Sequence, residues 1–240
     1  MMLSAGATPR LGPRSRAPAR IGTLATMTPR WPVTLFDLDG TLADSINLIV
    51  TSYQHAFREV AGHEWDETEI KSWIGKSLID AFRDALGDEL GEKAYASYTA
   101  FNEANTERLM KGYDGVPELL RDLNAAGVKT GVVTSKRRPP AEWAIRLCGL
   151  DIPLLVGHED VLAHKPDARP LLRGLELLGA RAEDAVYVGD AAVDVIAARN
   201  AGLPTVAVTW GAGVRSDIEA TEPLELCDTV AQLRAVLLPQ

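Results

Sequence analysis

The stretch Asp37-Leu38-Asp39-Gly40-Thr41 sets two carboxylates two residues apart, directly after the apolar run Val33 to Phe36. A run of that kind reads as a buried strand, and Gly40 breaks it at once. A carboxylate at the end of a buried strand is costly unless it is paired. Two in such proximity repel each other, and a divalent cation relieves that repulsion. Alternatively one carboxyl keeps its proton, and the pair divides into a nucleophile and an acid. Taken alone, the stretch equally suits an Asp-Gly turn in which Asp39 serves only the turn.

The remainder of the chain must decide, and it does so by where its polar residues fall. From Gly112 onward, strand and helix patterns alternate. Strands are predicted over Val128–Val133, Leu154–Val156, Ala185–Val188 and Val206–Val208. Helices are predicted over about 116–126, 140–148, 167–178, 191–201 and 230–237. Such alternation implies a parallel sheet covered by helices on both faces. Ligands of these sheets sit beyond the carboxyl ends of the strands. Thr134-Ser135-Lys136, His164-Lys165-Pro166 and Gly189-Asp190, with Asp194 one helical turn on, all follow predicted strands. Three acids, a hydroxyl and a lysine on one sheet edge are the parts needed to hold Mg²⁺ and a phosphate together.

Between the first strand and Gly112 the pattern is helical throughout. Asp44 or Ser45 can cap a helix carrying Ile46, Ile49, Val50, Tyr53 and Phe57, ended by Ala61-Gly62-His63. Asp66 opens a short helix, a break follows at Ile74-Gly75-Lys76-Ser77, and a long helix runs from about Leu90 to Met110. Residues 45–111 therefore read as a separate helical bundle inserted after the first strand, with residues 31–44 and 112–240 forming the sheet core.

Composition narrows the function classes. A 240-residue chain with 46% hydrophobic and 24% charged residues can build a core. Its net charge of −8 argues against a general nucleic-acid binder, and no apolar run approaches membrane-spanning length. Cys148 and Cys227 match no metal spacing and read as core residues in a reducing compartment, which places the protein in the cytoplasm. Residues 1–30 stand apart: five arginines and no acid divide the net charge into +5 there and −13 over residues 37–240. They read as a disordered tail, a transit peptide or a segment preceding a true start at Met27.

These motifs resemble the haloacid dehalogenase superfamily of phosphohydrolases over about residues 33–237. The superfamily's Asp-x-Asp-Gly-Thr stands as Asp37 to Thr41. Its Thr or Ser after a strand stands as Thr134, its lysine as Lys165-Pro166, and its Gly-Asp-x-x-x-Asp as Gly189 to Asp194. The resemblance implies a Rossmann-like α/β core and makes the helical insert a cap. It implies that Asp37 attacks phosphorus and that Asp39 acts as acid and then base. Asp37, Asp190 and the backbone carbonyl of Asp39 would hold Mg²⁺, with Asp194 supporting the metal or orienting Lys165. Thr134, Ser135 and Lys165 would hold the phosphoryl oxygens. The chain departs from its relatives at Ala191, where a small polar residue is common, and at Ala168, where a proline is common.

Within the superfamily the cap segments resemble the phosphoglycolate phosphatases and, as an alternative, pyrophosphatases of the same architecture. Lys76, Lys136 and Arg137 are candidates to meet the substrate beyond the scissile phosphate. A mutase fits less well, because Leu48-Ile49 stand where related mutases carry a histidine. Dehalogenases lack the acid that Asp39 supplies, and a catalytically silent binding protein would be expected to have lost Asp37 or Asp39. The expected partner is a small phosphorylated metabolite met by a monomer or homodimer. A chain beginning at Met27 is expected to keep the melting temperature and rate of the full chain. A large loss of either would make residues 1–26 part of the working structure.

Overall fold

The computed structural model describes residues 28–239, so the expected tail lies outside the described residues except at its end. There the boundary is earlier than residue 30. The Arg30 N–H donates to the Leu237 carbonyl at 3.0 Å, and its guanidinium pairs with Glu225.

The chain runs β1 (Val33–Phe36), β2 (Ala43–Asp44), α1 (Ile46–Ala61), α2 (Glu67–Trp73), α3 (Leu78–Leu86), α4 (Asp88–Leu109) and β3 (Lys111–Gly112). It continues α5 (Val116–Ala125), β4 (Lys129–Val133), α6 (Arg138–Leu147), β5 (Leu154–Val156), α7 (Arg169–Leu178) and β6 (Ala185–Gly189). It closes with α8 (Ala192–Ala201), β7 (Thr205–Val208), α9 (Arg215–Ala220), β8 (Glu225–Cys227) and α10 (Val230–Leu237). Six strands form one parallel sheet in the order β5-β4-β1-β6-β7-β8.

The sheet is buried on both faces, which is why its strands read as nearly unbroken apolar runs. Alternate residues serve opposite sides. Phe36, Val132 and Val188 pack beneath α5, α6 and α10 with Leu119, Leu120 and Leu233. Leu35, Val133 and Tyr187 pack beneath α7 and α8 with Leu171, Leu175 and Ala198. Cys148 and Cys227 are buried in the first of these layers.

Helices α1–α4 form an insert with its own core. Tyr53, Phe57, Trp65, Trp73, Phe82 and Tyr98 make a chain of ring contacts, the Tyr53 and Phe82 centroids standing 4.8 Å apart. Asn102 of α4 donates to the Ser52 hydroxyl of α1 at 3.1 Å, giving this aromatic core one buried polar tie. Asp66 caps α2 by accepting from the Glu69 N–H, and Gly62 ends α1 in a left-handed conformation.

Three features differ from the sequence expectation. Lys111 is not the last residue of the helical segment. It pairs with Asp44, and Gly112 with Ala43, in a two-stranded antiparallel ribbon through which both connections to the insert pass. The edge strand β8 and helix α9 were not foreseen. Glu225–Cys227 is too short to show a period, and α9 carries one buried apolar residue, Ile218. Ser45 does occupy the N-cap position of α1, yet its hydroxyl makes no cap bond and is committed elsewhere.

Candidate active site

Because all six strands of the sheet run the same way, their carboxyl ends share one edge. Asp37 follows β1, Thr134 follows β4, Asp190 follows β6 and Trp210 comes two residues after β7. The Asp37 N–H donates to the Val188 carbonyl at 2.8 Å, which holds the end of β1 against β6. Gly40 then turns the chain with φ +79°, and a Cβ there would lie 2.4 Å from Asp190 Oδ2. Only glycine lets the turn after Asp39 close over Asp190.

Asp37, Asp190 and Asp194 are buried and each offers an oxygen within 4.8 Å of the others. Lys165, equally buried, sits among them. Its Nζ lies 2.6 Å from Asp194 Oδ1, 3.0 Å from Asp37 Oδ1 and 3.2 Å from the Tyr187 hydroxyl. Tyr187 in turn donates to the Val133 carbonyl at 2.9 Å. The Asp194 side chain accepts from the Ala191 N–H as well, so it braces Lys165 from the start of α8. Of its two expected roles, orienting Lys165 is the one its contacts display.

One ammonium does not balance three carboxylates. Burial pushes the Asp37 carboxyl up to about 7, Lys165 opposing and Asp194 adding to the rise. Burial likewise pushes Asp190 up to about 8, with Asp194 and then Asp37 as the repelling neighbours. Lys165 is held well above its ordinary value: burial pulls it down, but Asp194 and Asp37 outweigh that. Asp37 Oδ1 makes no hydrogen bond, since its approach to Lys165 is an ion pair without hydrogen-bond alignment. An orphaned carboxylate oxygen in a cluster with surplus negative charge fits a hard dication with oxygen ligands, Mg²⁺ above all.

Asp39 stands apart from this cluster. Its Oδ1 accepts from the Ser45 hydroxyl at 2.6 Å, and Lys136 Nζ lies 3.0 and 3.1 Å from its two oxygens. Lys136 is thus spoken for by Asp39, and Arg137 by Glu159 and the Tyr95 hydroxyl. Thr134 does not cap a helix; its hydroxyl accepts from the Lys136 N–H. The Ser135 hydroxyl donates to the Gly75 carbonyl at 2.7 Å, tying the sheet edge to the insert.

Between the sheet edge and the insert lies a cleft of about 220 Å³. Asp37, Asp39, Thr134 and Lys136 form its floor; Tyr53, Lys76, Ser77, Tyr98 and Asn102 form part of its roof. Lys76 is exposed and has no ion pair among the described residues, and the Ser77 hydroxyl is buried without a partner.

From the sequence, Thr41, Tyr187 and the Trp210–Gly213 loop carry no expected role, and Ser45 only that of a helix cap. Thr41 donates to Asp190 Oδ1 at 2.9 Å, and the Ala212 N–H donates to Asp190 Oδ2 at 2.9 Å. A signal existed for two of them. Tyr187 is a phenol within an aliphatic strand that ends in Gly-Asp, and Gly211 and Gly213 follow another strand at the same sheet edge.

The family model of haloacid dehalogenase-like hydrolases matches residues 34–208. The chain is 35% identical over 205 residues to "Pyrophosphatase PpaX" of Bacillus cereus, an alignment covering 85% of this chain and 94% of that one. Its fold is similar to that of a Bacteroides fragilis protein described as a haloacid dehalogenase-like hydrolase. The TM-score is 0.78 at 29% identity, over 85% of this chain and 100% of that one. A Haemophilus somnus protein described as a predicted phosphoglycolate phosphatase shares the fold at a TM-score of 0.75 and 24% identity, over 85% and 96% of the two chains.

The raised carboxyls make a pH prediction. Asp190 keeps its proton in the folded state until about pH 8, whereas in the unfolded chain it ionises near 4. The folded state therefore binds more protons between those limits, and metal-free stability falls as pH rises through them. Asp190→Asn removes the titrating group and should flatten that decline. Added Mg²⁺ should raise the wild-type melting temperature more at pH 8 than at pH 5 and leave Asp190→Asn nearly unmoved. Thermal melts across pH, with and without Mg²⁺, check this; identical pH slopes in the two proteins would contradict it.

Proposed function

The chain belongs to the haloacid dehalogenase-like hydrolases, and from that membership we propose that it is a Mg²⁺-dependent phosphatase of small soluble phosphomonoesters. The observation that carries the reading is the unbonded Oδ1 of Asp37. It sits beside Lys165 and Asp190 on the floor of a cleft of about 220 Å³, a size suited to a small molecule.

In this reading Asp37 attacks phosphorus, a P–O bond to the leaving group breaks, and an aspartyl-phosphate forms on Asp37. Asp39, protonated once Lys136 turns to the incoming anion, gives that proton to the departing oxygen and then takes one from the water that hydrolyses the acyl phosphate. Lys165 sets positive charge against the phosphoryl oxygens, and Asp194 and Tyr187 keep its ammonium in place. Thr134 takes a phosphoryl oxygen at the end of β4, and Ser135 would take another once its hydroxyl leaves the Gly75 carbonyl. Asp37, Asp190 and the backbone carbonyl of Asp39 would hold Mg²⁺, which supplies further positive charge against the transferring group. Before substrate arrives, Lys136 and Ser45 hold the Asp39 carboxylate toward the cleft. Helices α1–α4 act as a cap whose seating excludes bulk water from the floor.

The substrate leads are phosphoglycolate and pyrophosphate. The cap segments carry the first, as does a likeness of fold. The 35% identity to a pyrophosphatase over nearly its full length favours the second. Either substrate brings a second anionic group, and the unpaired Lys76 on the roof is placed to meet it. The enzyme would act in the cytoplasm as a monomer or homodimer. An assay of phosphoglycolate, pyrophosphate, sugar phosphates and nucleotides with Mg²⁺ tests the reading, and turnover of none of them would sink it.

Two substitutions bear on the roles. Asp37→Asn should lower kcat by at least about 10⁴-fold, because an amide is a poor nucleophile. It should not lower the melting temperature, since a buried charge is removed. Near-wild-type turnover would end the assignment of Asp37. Lys76→Ala should cut kcat/KM for the doubly anionic native substrate by about tenfold or more, the worth of a charged hydrogen bond. For p-nitrophenyl phosphate the change should stay within about twofold. Equal small effects on both substrates would remove Lys76 from the site.

A further inference from the structure

Beyond β7 the segment Thr209-Trp210-Gly211-Ala212-Gly213 turns back across Asp190. Its start is anchored at the far edge of the sheet, where the Thr209 N–H donates to the Cys227 carbonyl and its hydroxyl to Asp228. From there the backbone runs closer to Asp190 than any side chain permits. A Cβ on Gly211 would lie 2.0 Å from Asp190 Oδ2, and one on Gly213 2.0 Å from the Asp190 carbonyl oxygen.

The loop reaches Asp190 by two routes. Directly, the Ala212 N–H donates to Oδ2 at 2.9 Å. Indirectly, the Trp210 indole N–H donates to the Thr41 carbonyl at 3.1 Å, and the Thr41 hydroxyl donates to Oδ1 at 2.9 Å. Tyr113 steadies the indole from the other side, edge-on to it and with its hydroxyl on the Trp210 carbonyl at 3.3 Å. Each Asp190 oxygen thus has one donor, and the two donors come from opposite ends of a single circuit. A carboxylate held in this way cannot rotate about its last torsion without breaking one of them. Each oxygen keeps lone-pair capacity for a further partner.

We infer that the Trp210–Gly213 loop, acting on Asp190 directly and through Thr41, is the positioning element that sets the protein's affinity for its divalent cation. The inference rests on the assignment of Asp190 as a cation ligand in the proposed function. The loop's residues do not line the cleft; they fix the orientation of the carboxylate assigned to the cation. Partners of this kind change metal affinity by about 10–100-fold when removed.

The test uses the full chain and reads Mg²⁺ binding by calorimetry, with Mn²⁺ binding by electron paramagnetic resonance as a second measure. Gly211→Ala puts a methyl group into the space of the carboxylate and should weaken Mg²⁺ by about 10–100-fold. Trp210→Phe keeps a ring against Tyr113 but removes the indole donor, and should weaken Mg²⁺ by at least about threefold. In both variants saturating Mg²⁺ should restore most of kcat and leave the substrate KM at the wild-type value. A merely structural role would lower the metal-free melting temperature and leave Mg²⁺ affinity within twofold of wild type; that result overturns the inference. If Gly211→Ala fails to fold, Trp210→Phe decides alone by the same measure. A wild-type protein that binds no Mg²⁺ overturns the reading of Asp190 as a ligand, and this inference with it.

Discussion

The structure is built around an imbalance of buried charge. Asp37, Asp190 and Asp194 converge within 4.8 Å, and a single ammonium, that of Lys165, stands among them. Bulk water would screen such a cluster, but all three carboxylates and the lysine are buried. The protein answers with placed dipoles rather than further cations. Thr41 and the Ala212 N–H serve Asp190, the Ala191 N–H serves Asp194, and Tyr187 joins Lys165 to the backbone of β4. What is left over is one unbonded oxygen on Asp37 and a net negative site. In the proposed function that remainder is what a divalent cation would offset.

The parallel sheet makes the convergence possible. In an antiparallel sheet the ends of successive strands alternate between two edges. Here β1, β4 and β6 deliver Asp37, Thr134 and Asp190 to one edge, and each intervening helix carries the chain back. The site therefore inherits the rigidity of central strands, with β1 flanked on both sides. The insert is built differently. It has its own aromatic core, hangs from the two-stranded ribbon at Ala43–Asp44 and Lys111–Gly112, and meets the sheet edge at Gly75. The candidate reacting groups and the insert are thus packed in separate cores of one chain, joined through the ribbon.

Gly75 shows how narrow the meeting point is. Its φ of +92° lets the turn between α2 and α3 present a carbonyl to Ser135, and a Cβ there would lie 3.2 Å from the Val193 side chain. Ser135 was expected among the phosphoryl contacts and is engaged by the insert instead. Its neighbour Lys136, a candidate for a distal phosphate, is engaged by Asp39. Both assignments place a polar group at the right edge.

Much of this was legible in the sequence because it depends on local pattern. Apolar runs followed at once by Asp, Thr or Gly-Asp mark strands that end in chemistry, and their alternation with helical periods leaves a parallel sheet as the economical solution. Asp37, Asp39, Thr134, Lys165 and Asp190 could be nominated on that ground, since each stands at a fixed short distance from a strand. The partners of these residues could not. Nothing in the spacing says that Thr41 reaches across 149 positions to Asp190, that Trp210 reaches 169 positions back to Thr41, or that Lys136 lies on Asp39. Side-chain pairing across the sheet edge is set by three-dimensional register, the closeness that glycine allows, and the desolvation of carboxylates that must find donors once buried. The sequence by itself determined which residues are candidates for the chemistry. Only the tertiary structure decided which residues hold them there, because a strand pattern is local and a hydrogen-bond circuit is not.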